Sequence, residues 1–230
     1  MKKESLQGLT AGENTHDVSP AVVKRLPRYF RYLRELIRMG KLRVSSGELS
    51  ELMQVTASQI RQDLNCFGGF GQQGYGYNVN HLYAKICEIL GVGEGFGAVV
   101  IGAGNLGRAL VRSPMFEKRG VNILGMFDVD KAQVGRTIGD VTVYPMEELE
   151  EFCRSYPVDI AVLTLPKQAV EEVAARLYGL GIGAFWNFTG KEPELPGDAV
   201  IENVHIGDSL MTLCFELRRK GLEEKGEETT

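Results

Sequence analysis

The chain has little of what marks membrane proteins or disulfide-rich secreted proteins. No apolar run in its 230 residues approaches the roughly 18 residues needed to cross a bilayer. Its start, Met1-Lys-Lys-Glu-Ser, has no apolar signal-peptide core. The four cysteines form no Cys-x-x-Cys pair, and the three histidines form no ligand cluster. We therefore predict a cytoplasmic protein with no membrane partner, no metal, and buried or half-buried free thiols.

Positive charge is in slight deficit overall but is concentrated in one segment. The formal net charge is −4, and 43% hydrophobic and 24% charged residues are ordinary for a globular protein. Residues 20–85 nevertheless carry ten Lys and Arg against four acidic residues, a net +6, whereas residues 86–230 sum to −9. A basic module joined to an acidic one suggests a polyanionic partner. The alternative is a merely solvated helix surface.

A glycine motif lies between a predicted strand and a helix-forming stretch, and a second predicted strand ends at Asp128. This arrangement is the fingerprint of a dinucleotide site, in which glycines admit a pyrophosphate and the carboxylate binds the adenine ribose. We predict NAD⁺ or NADH as the cofactor, because a carboxylate repels the 2′-phosphate of NADP(H). A Gly-rich turn without a ligand is the alternative. The predicted contacts are Gly102, Ala103, Gly104, Asn105, Leu106, Gly107 and Asp128.

Predicted strands alternate with predicted helices after residue 128. The alternation predicts an α/β fold with a doubly wound parallel sheet of the Rossmann type, in which loops after the strand ends line the cofactor crevice. Thr164, Pro166 and Asn187 lie at such ends and are predicted to flank the nicotinamide half of the cofactor. The predicted strands cover 141–144, 159–165 and 184–188, and the predicted helices begin at Met146 and Lys167.

Two capping boxes in the basic segment mark consecutive short helices. Ser45-x-x-Glu48 starts the first, and Thr56-x-x-Gln59 starts the second. Two short helices joined by a tight turn form a helix-turn-helix, whose second helix enters the major groove of DNA. The predicted helices cover 19–39, with a start or bend at Pro27, then 45–53 and 56–66. The predicted DNA contacts are Arg28, Ser46, Thr56, Ser58, Gln59, Arg61 and Gln62.

A glycine-punctuated segment with alternating aromatic residues follows over 67–79. The pattern predicts a β-hairpin, the wing of a winged-helix domain. A flexible loop is the alternative, but the aromatic residues are too apolar for a solvated linker. Gln72 and Gln73 within this segment are predicted DNA contacts.

Five motifs occur in order between residues 24 and 130, within a match that extends from about residue 18 to residue 218. They are Lys24-Arg25-Leu26-Pro27 with Tyr29-x-x-Tyr-Leu, Thr56-Ala-x-Gln-Ile-Arg-x-Asp-Leu, Phe67-Gly-x-Phe-Gly-x-x-Gly-x-Gly-Tyr, Gly102-Ala-Gly-Asn-Leu-Gly-Arg-Ala-Leu and Phe127-Asp-Val-Asp. Together they resemble the Rex family of bacterial redox-sensing transcriptional repressors. The resemblance implies a homodimer that binds an inverted-repeat operator in double-stranded DNA with NAD⁺ or without cofactor. It further implies that NADH releases the operator and that the C-terminal helix is swapped between subunits.

The sequence departs from the Rex pattern in its predicted DNA contacts. Gln72-Gln73 and Gln62 stand where the family commonly carries basic residues. Each departure removes a charge that would neutralise a phosphate, so we expect weaker and less salt-dependent DNA binding than in relatives.

The residues that couple NADH to domain closure also depart from the family pattern. In the family these residues are an Arg, a Tyr and an Asp. By resemblance Arg31 is the first, while Ser113 and His205 stand in the Tyr and Asp positions. Asp208, one helical turn on, is the candidate for the lost carboxylate.

The last predicted helix, within 205–220, is apolar around most of its circumference. Such a helix exposes a large patch unless it is buried on several sides, which favours a swapped or interdomain position over packing on its own sheet, the alternative. The predicted segments are a flexible N-terminus (1–17), the winged-helix domain (18–85), the NAD(H) domain (86–204), the C-terminal helix (205–220) and a disordered tail (221–230).

Two other function classes compete with a redox-sensing repressor. A small NAD-dependent oxidoreductase needs an acid or base beside the nicotinamide, for which only His205 and Lys167 are placed. The chain leaves no segment for a substrate domain, so we predict that it is not an enzyme. The second alternative is an NAD-binding DNA regulator whose NADH response is lost or altered.

Overall fold

The computed structural model describes residues 19–67, 71–72 and 75–227, and the predicted flexible N-terminus lies outside them. The chain divides after Gly93 into two compact units. The boundary predicted after residue 85 is wrong, because the helix at this point runs from Val79 to Ile89. Ile86 is buried in the core of the first unit and Leu90 packs against it, which keeps the whole helix in that unit.

The first unit is a helical bundle with a small antiparallel sheet. Its helix predicted over 19–39 is interrupted at Lys24 and Arg25, ahead of Pro27, which cannot donate an N–H to the preceding turn. Tyr29 and Leu33 are fully buried on one face of the long helix. The elements are α1 (Pro20–Val23), α2 (Leu26–Arg38), β1 (Arg43–Val44), α3 (Ser46–Met53), α4 (Ala57–Asn65), β2 (Gly71–Gln72), β3 (Gly76–Asn78) and α5 (Val79–Ile89).

Of the two capping boxes predicted for the helix-turn-helix, one is complete and the other is half formed. Ser45 and Glu48 form the full reciprocal capping box of α3. At α4 the hydroxyl of Thr56 accepts the N–H of Gln59 at 3.1 Å. The side chain of Gln59 does not return to Thr56 but donates to Asp63. The prediction of a second capping box is therefore wrong in that half, because a buried carboxylate competes for the amide.

The wing predicted over 67–79 is a β-hairpin in its described part. Strands β2 and β3 pair antiparallel, and β1 adds to the other side of β3. Phe67 and Tyr77 are buried in the core of the unit, which excludes the alternative of a solvated loop there. Gln73 lies outside the described residues.

The second unit is the predicted doubly wound sheet. Its seven strands have the order β10-β9-β8-β4-β5-β7-β6, and all neighbours are parallel except the edge strand β6, which was not among the predicted strands and pairs antiparallel with β7. Val99 and Val100, adjacent on β4, belong to cores on opposite faces of the sheet. The strands are β4 (Phe96–Ile101), β5 (Val121–Asp128), β6 (Thr137–Ile138), β7 (Val141–Pro145), β8 (Ile160–Leu163), β9 (Ala184–Asn187) and β10 (Val200–Asn203). The helices are α6 (Asn105–Val111), α7 (Leu149–Ser155), α8 (Val170–Gly179) and α9 (Ile206–Glu227).

Helix α9 continues past its predicted end at Lys220. A disordered tail from 221 is therefore wrong up to Glu227, because helix-forming residues follow Gly221 and carry the helix through it. No helix in the described part of the chain is long and apolar enough to span a membrane. All four cysteines are free; Cys87 and Cys153 are half-buried as predicted, whereas Cys66 and Cys214 are exposed.

Candidate nucleotide and nucleic-acid sites

The glycine loop joins β4 to α6 through a sharp turn. Gly102 has a φ of +105°, a left-handed conformation that residues with a side chain rarely adopt. A Cβ on Gly107 would lie 2.1 Å from Gly102 O, so glycine at this position lets α6 pack directly against the loop. A Cβ on Gly104, in contrast, would meet no protein atom within 4 Å. Packing within the chain therefore does not explain glycine at 104, whereas a ligand close to this backbone does.

The carboxylate of Asp128, at the end of β5, holds two backbone segments together. Its Oδ2 accepts the N–H of Ala103 at 2.5 Å, and its Oδ1 accepts the N–H of Asp130 at 2.8 Å. Each oxygen keeps a second lone pair for a ligand hydroxyl. The predicted ribose carboxylate and the predicted phosphate loop are thus brought together by a direct bond. The remaining loop residues are Asn105, which is exposed, and Leu106, which is half-buried.

Thr164 and Pro166, predicted to flank the nicotinamide, follow the end of β8. The Thr164 hydroxyl lies 3.0 Å from Ile101 O and 2.9 Å from Gly102 O, so it ties the β8 loop to the glycine turn. Pro166 precedes a short 3₁₀ turn that leads into α8. These two residues therefore stand at the edge of the sheet that carries the glycine loop.

Asn187, also predicted as a cofactor contact, is fully buried and fully occupied. Its amide donates to Lys191 O at 2.8 Å and to Asn203 Oδ1 at 2.7 Å, while its Oδ1 accepts from the N–H and the hydroxyl of Thr189. Both amide protons are thus used, and Oδ1 accepts the N–H of Thr189 and shares the single hydroxyl proton of Thr189 with Lys191 O. Asn187 therefore fixes the loop after β9, and its contact with the cofactor stays a prediction.

A cavity of about 560 Å³ lies beside α6, where no sequence pattern predicts one. Three of its lining residues, Arg108, Arg112 and Arg136, are cationic. Arg108 donates to Asn105 Oδ1 at 2.8 Å. Within the described residues, no carboxylate oxygen lies within 4.0 Å of these guanidinium groups. They place positive charge next to Asn105, where phosphate binding is predicted.

The helix-turn-helix presents a compact polar face. Ser58, Arg61 and Gln62 are exposed on α4, and Arg61 Nη1 donates to Ser46 Oγ at 3.2 Å. Four predicted DNA contacts therefore belong to one face of the motif. Arg28 is used differently, because its guanidinium donates to Met53 O at the end of α3. Gln72 belongs to β2, the strand at the far side of the wing from β1.

Asp63 is a fully buried carboxylate on α4 that sequence reasoning missed. Arg25 donates Nε to Oδ2 and Nη2 to Oδ1, both at 2.7 Å, Tyr29 donates its hydroxyl at 2.9 Å, and Gln59 donates its amide at 2.8 Å. Burial alone raises the pKa of Asp63, but the hydrogen bonds from Arg25, Gln59 and Tyr29 outweigh it and lower that pKa. The hydrogen bond to Asp63 also raises the pKa of Arg25, so both groups stay charged.

Arg43, at the base of the wing, is a second residue that sequence reasoning missed. Its Nη1 donates to Tyr75 O at 3.2 Å, and its guanidinium lies 5.8 Å from the centre of the Tyr75 ring. Arg43 and Tyr75 are exposed. The signal that could have found Arg43 is its position directly before a buried strand residue, Val44, opposite the aromatic wing.

The predicted coupling residues are divided between the units. Arg31, in the first unit, is exposed and lies over the ring of Tyr32. In the second unit, Ser113 caps the turn after α6 by accepting the N–H of Met115 at 3.4 Å. His205 Nε2 lies 3.2 Å from Glu192 Oε1. Asp208 is exposed in the first turn of α9.

Comparisons with known proteins cover both units. A family model described as "Putative DNA-binding protein N-terminus" matches residues 17–65, and one described as "CoA binding domain" matches residues 94–190. The redox-sensing transcriptional repressor Rex of Caldicellulosiruptor bescii is 48% identical over 209 residues, which cover 91% of this chain and 96% of that protein. The chain belongs to the Rex family. Membership also confirms the prediction that it is not an enzyme, since the close relatives in this family are repressors.

Other Rex proteins match at similar levels. The redox-sensing transcriptional repressor Rex of Caldanaerobacter subterraneus is 50% identical over 90% of this chain and 93% of its own. Crystal structures of RSP, a Rex-family repressor, match with TM-scores of 0.84 for RSP alone and 0.83 for RSP in complex with β-NAD⁺ and operator DNA. These two are 47% and 48% identical and cover 90% and 93% of this chain and 97% and 98% of theirs. The winged-helix and Rossmann architecture predicted from sequence is thus confirmed.

Proposed function

We propose that this Rex-family protein is a repressor that binds operator DNA and senses the balance of NADH and NAD⁺. The observation that carries the proposal is the direct bond between Asp128 and the glycine loop in a chain that also holds a helix-turn-helix. RSP, its relative, has been crystallised with β-NAD⁺ and operator DNA and with β-NADH. Since DNA in bacteria lies in the cytoplasm, a repressor of this kind acts there.

The residues present fit a dinucleotide. The N–H groups of Gly102 and Ala103 are used within the protein, but the space beside Gly104, which a Cβ would fill, leaves the start of α6 open to a pyrophosphate. Asp128 would accept the adenine ribose hydroxyls with its free lone pairs, and Thr164 and Pro166 would border the nicotinamide end. When bound, the nicotinamide supplies the signal, because its oxidised and reduced rings differ by a positive charge and in planarity.

The first prediction concerns cofactor choice. The protein should bind NADH more tightly than NADPH, because Asp128 repels a 2′-phosphate. Asp128→Ala should reduce the difference in affinity between NADH and NADPH. It should also weaken NADH binding, since it removes the acceptor of the Ala103 N–H. Isothermal titration calorimetry measures the affinities for NADH and NADPH. Coenzyme A is titrated as well, because a family model described as "CoA binding domain" matches residues 94–190. Asp140→Ala, the same charge change at an exposed site, is the control. Equal affinity of the unmodified protein for NADH and NADPH would overturn the prediction.

The DNA-binding face is formed by Ser46, Ser58, Arg61 and Gln62, with Thr56 and Gln59 in the first turn of α4 and Arg28, Arg43, Gln72 and Gln73 as further contacts. Arg61→Ala should weaken operator binding by about 1–3 kcal/mol if Arg61 reads a guanine. Fluorescence anisotropy of a labelled duplex with the operator sequence bound by RSP provides the affinity. Arg154→Ala, which removes an exposed arginine from the second unit, should change little. Full affinity of Arg61→Ala at moderate salt would exclude this placement.

We further propose a homodimer in which α9 is swapped. Six large apolar side chains of α9 are 60–71% exposed in the single chain. An apolar patch of this kind marks a protein interface, and a second copy of the chain is the partner that matches an inverted-repeat operator. Sedimentation equilibrium measures the state directly. The exposed residues are Ile206, Leu210, Met211, Leu213, Phe215 and Leu217.

The NADH response would be coupled through Arg31 and a carboxylate of the second unit. Asp208 is the candidate, because His205, in the family's Asp position, cannot serve as an anion. To move the protein from 1:99 to 99:1 between two domain arrangements, NADH must bind one arrangement about 5.5 kcal/mol more tightly than the other. Loss of one ion pair that favours an arrangement should therefore change the release from DNA. Asp208→Ala should blunt release from DNA with NADH binding nearly intact, and Ser113→Tyr should strengthen the release.

Operator anisotropy across NAD⁺ and NADH titrations tests both the function and this coupling. Release by NADH but not by NAD⁺ supports the proposed sensor, and binding that ignores both cofactors supports a regulator without a redox response. The regulator without a redox response is favoured by one observation: Ser113 and His205 stand where the family has Tyr and Asp. Asp140→Ala serves again as the charge control. An unchanged release midpoint and amplitude in Asp208→Ala would mean that the coupling uses other residues.

A further inference from the structure

The recognition helix α4 contains a side-chain contact that fixes the orientation of one amide. Gln59 Nε2 lies 2.8 Å from Asp63 Oδ1, one helical turn further on. Asp63 is fully buried, whereas Gln59 is half-buried and stands in the first turn of the helix. First-turn residues of a recognition helix are those that contact base edges. The outer part of this amide is therefore placed where DNA is read.

The charge state of Asp63 fixes the orientation of the Gln59 side-chain amide. An ionised carboxylate accepts hydrogen bonds and cannot donate them. The bidentate Arg25 contact and the Tyr29 hydroxyl keep the carboxylate ionised, since these hydrogen bonds lower its pKa against the effect of burial. Only the NH₂ group of Gln59 can then face Asp63, and the carbonyl Oε1 must point away from it. A flip of the amide would place two acceptor oxygens against each other.

The groups that remain on Gln59 are complementary to one base. Its amide keeps the acceptor Oε1 and the second proton of Nε2. Adenine offers the donor N6–H₂ and the acceptor N7 side by side in the major groove, and glutamine pairs with both. Guanine offers two acceptors, N7 and O6, so its O6 would face Oε1 without a proton between them. Thymine and cytosine lack the paired donor and acceptor.

We propose that Gln59 reads an adenine in the operator and that Asp63 is the positioning residue that holds the amide in the reading orientation. The inference rests on the proposed DNA binding. Arg25 and Tyr29 act one step further away, because they anchor Asp63 from α2 and the turn before it. A buried acidic residue that never touches DNA thus sets a base preference.

Selection of bound duplexes from a randomised library, using full-length protein and deep sequencing, measures the preference at every position. One position in each half-site should favour adenine over guanine by roughly 5- to 150-fold, the range of a single bidentate contact. Gln59→Met should abolish the preference at that position alone. Asp63→Asn should do the same, because an amide at 63 can donate as well as accept and so permits the flipped Gln59.

Tyr29→Phe is the matched control for a merely structural role of Asp63. It removes one hydrogen bond from the same carboxylate but leaves the Gln59 contact in place. Overall affinity in this variant falls with any loss of stability, but the adenine to guanine ratio should stay at its original value. The double variant Asp63→Asn with Gln59→Met should show the same ratio as Gln59→Met alone, because both changes remove one reading contact.

The side-chain amide protons of Gln59 give a test that needs no substitution at Asp63. In ¹⁵N-edited NMR of the unmodified protein, the Gln59 proton that donates to Asp63 should exchange slowly with water and resonate downfield of the corresponding proton of the exposed Gln62. Side-chain amide shifts and exchange rates of Gln59 that match those of Gln62 would overturn the positioning step even if Asp63→Asn does not fold. A selected motif whose adenines are indifferent to Gln59→Met would overturn the reading step. A protein that enriches no motif at all would instead refute the proposed function.

Discussion

Replacing Arg25 by methionine should lower the free energy of unfolding by about 3–5 kcal/mol at neutral pH. The substitution removes both 2.7 Å hydrogen bonds to Asp63 and its counter-ion, so the buried charge keeps only the neutral donors Tyr29 and Gln59. Because small proteins are stable by only about 5–15 kcal/mol, this loss is a large share of the total. Urea unfolding followed by circular dichroism measures it.

The same variant has a distinctive pH dependence. In the unmodified protein the pKa of Asp63 is lowered on folding, so its contribution is present above the unfolded value near 3.8 and is lost as the pH falls through the folded value. Without Arg25, only the hydrogen bonds from Gln59 and Tyr29 oppose the effect of burial, so the folded pKa of Asp63 is less lowered and the variant should lose less stability on acidification. The difference between the two proteins therefore narrows toward low pH. Lys85→Met, which breaks an i,i+3 pair with the exposed Glu88, should cost about 0.5 kcal/mol or less. An Arg25→Met loss as small as this would show that the buried pair is not needed for stability.

Gly107→Ala should abolish most cofactor binding and destabilise the second unit. The added Cβ would lie 2.1 Å from Gly102 O and 2.7 Å from the Thr164 hydroxyl, so α6 must move away from the glycine turn. Overpacking of this kind typically costs about 1–3 kcal/mol, and NADH affinity should fall at least about tenfold. Thermal unfolding and calorimetric titration with NADH give the two quantities.

Gly104→Ala separates the two effects. Its Cβ meets no protein atom within 4 Å, and its φ of −69° suits alanine. Stability should stay unchanged while NADH binding weakens, because the methyl group occupies the space proposed for the pyrophosphate. Gly183→Ala, which is equally open but precedes β9 at the opposite edge of the parallel sheet from the glycine loop, should change neither property. Normal NADH binding by Gly104→Ala would contradict the proposed position of the cofactor.

The features that sequence predicts well are local. The capping box at Ser45 involves residues three apart, and the glycine loop is predicted by a short motif between a strand and a helix. Both depend on backbone requirements that few residue types satisfy. The structure therefore matches the sequence closely at these two points.

The features that sequence misses depend on distant partners. Asp63 looks like an exposed helical acid until Arg25, 38 residues earlier, is brought against it. Asp63 also accepts the side-chain amide of Gln59, which is why this amide does not complete the predicted capping box. The contacts of Asn187 are a similar case, since its strand-end position alone does not predict that its amide donates to Asn203 and Lys191. The predicted end of α9 fails for a different reason, because a single glycine at 221 is too weak to stop a helix.

The order of the large sheet has a consequence for how the chain folds as it is synthesised. The central strand β4 pairs with β5, which follows closely, but also with β8, which begins 59 residues after β4 ends at Ile101. Pairings at such sequence distances slow folding. The first unit also joins distant helices, α2 and α5, but its chain is complete at Gly93, before β4 begins. The helix-turn-helix can therefore fold on the ribosome while β4 still lacks a neighbour on one side. Through this interval the growing chain has a finished DNA-binding module and an open sheet edge, which makes the second unit the part most exposed to aggregation.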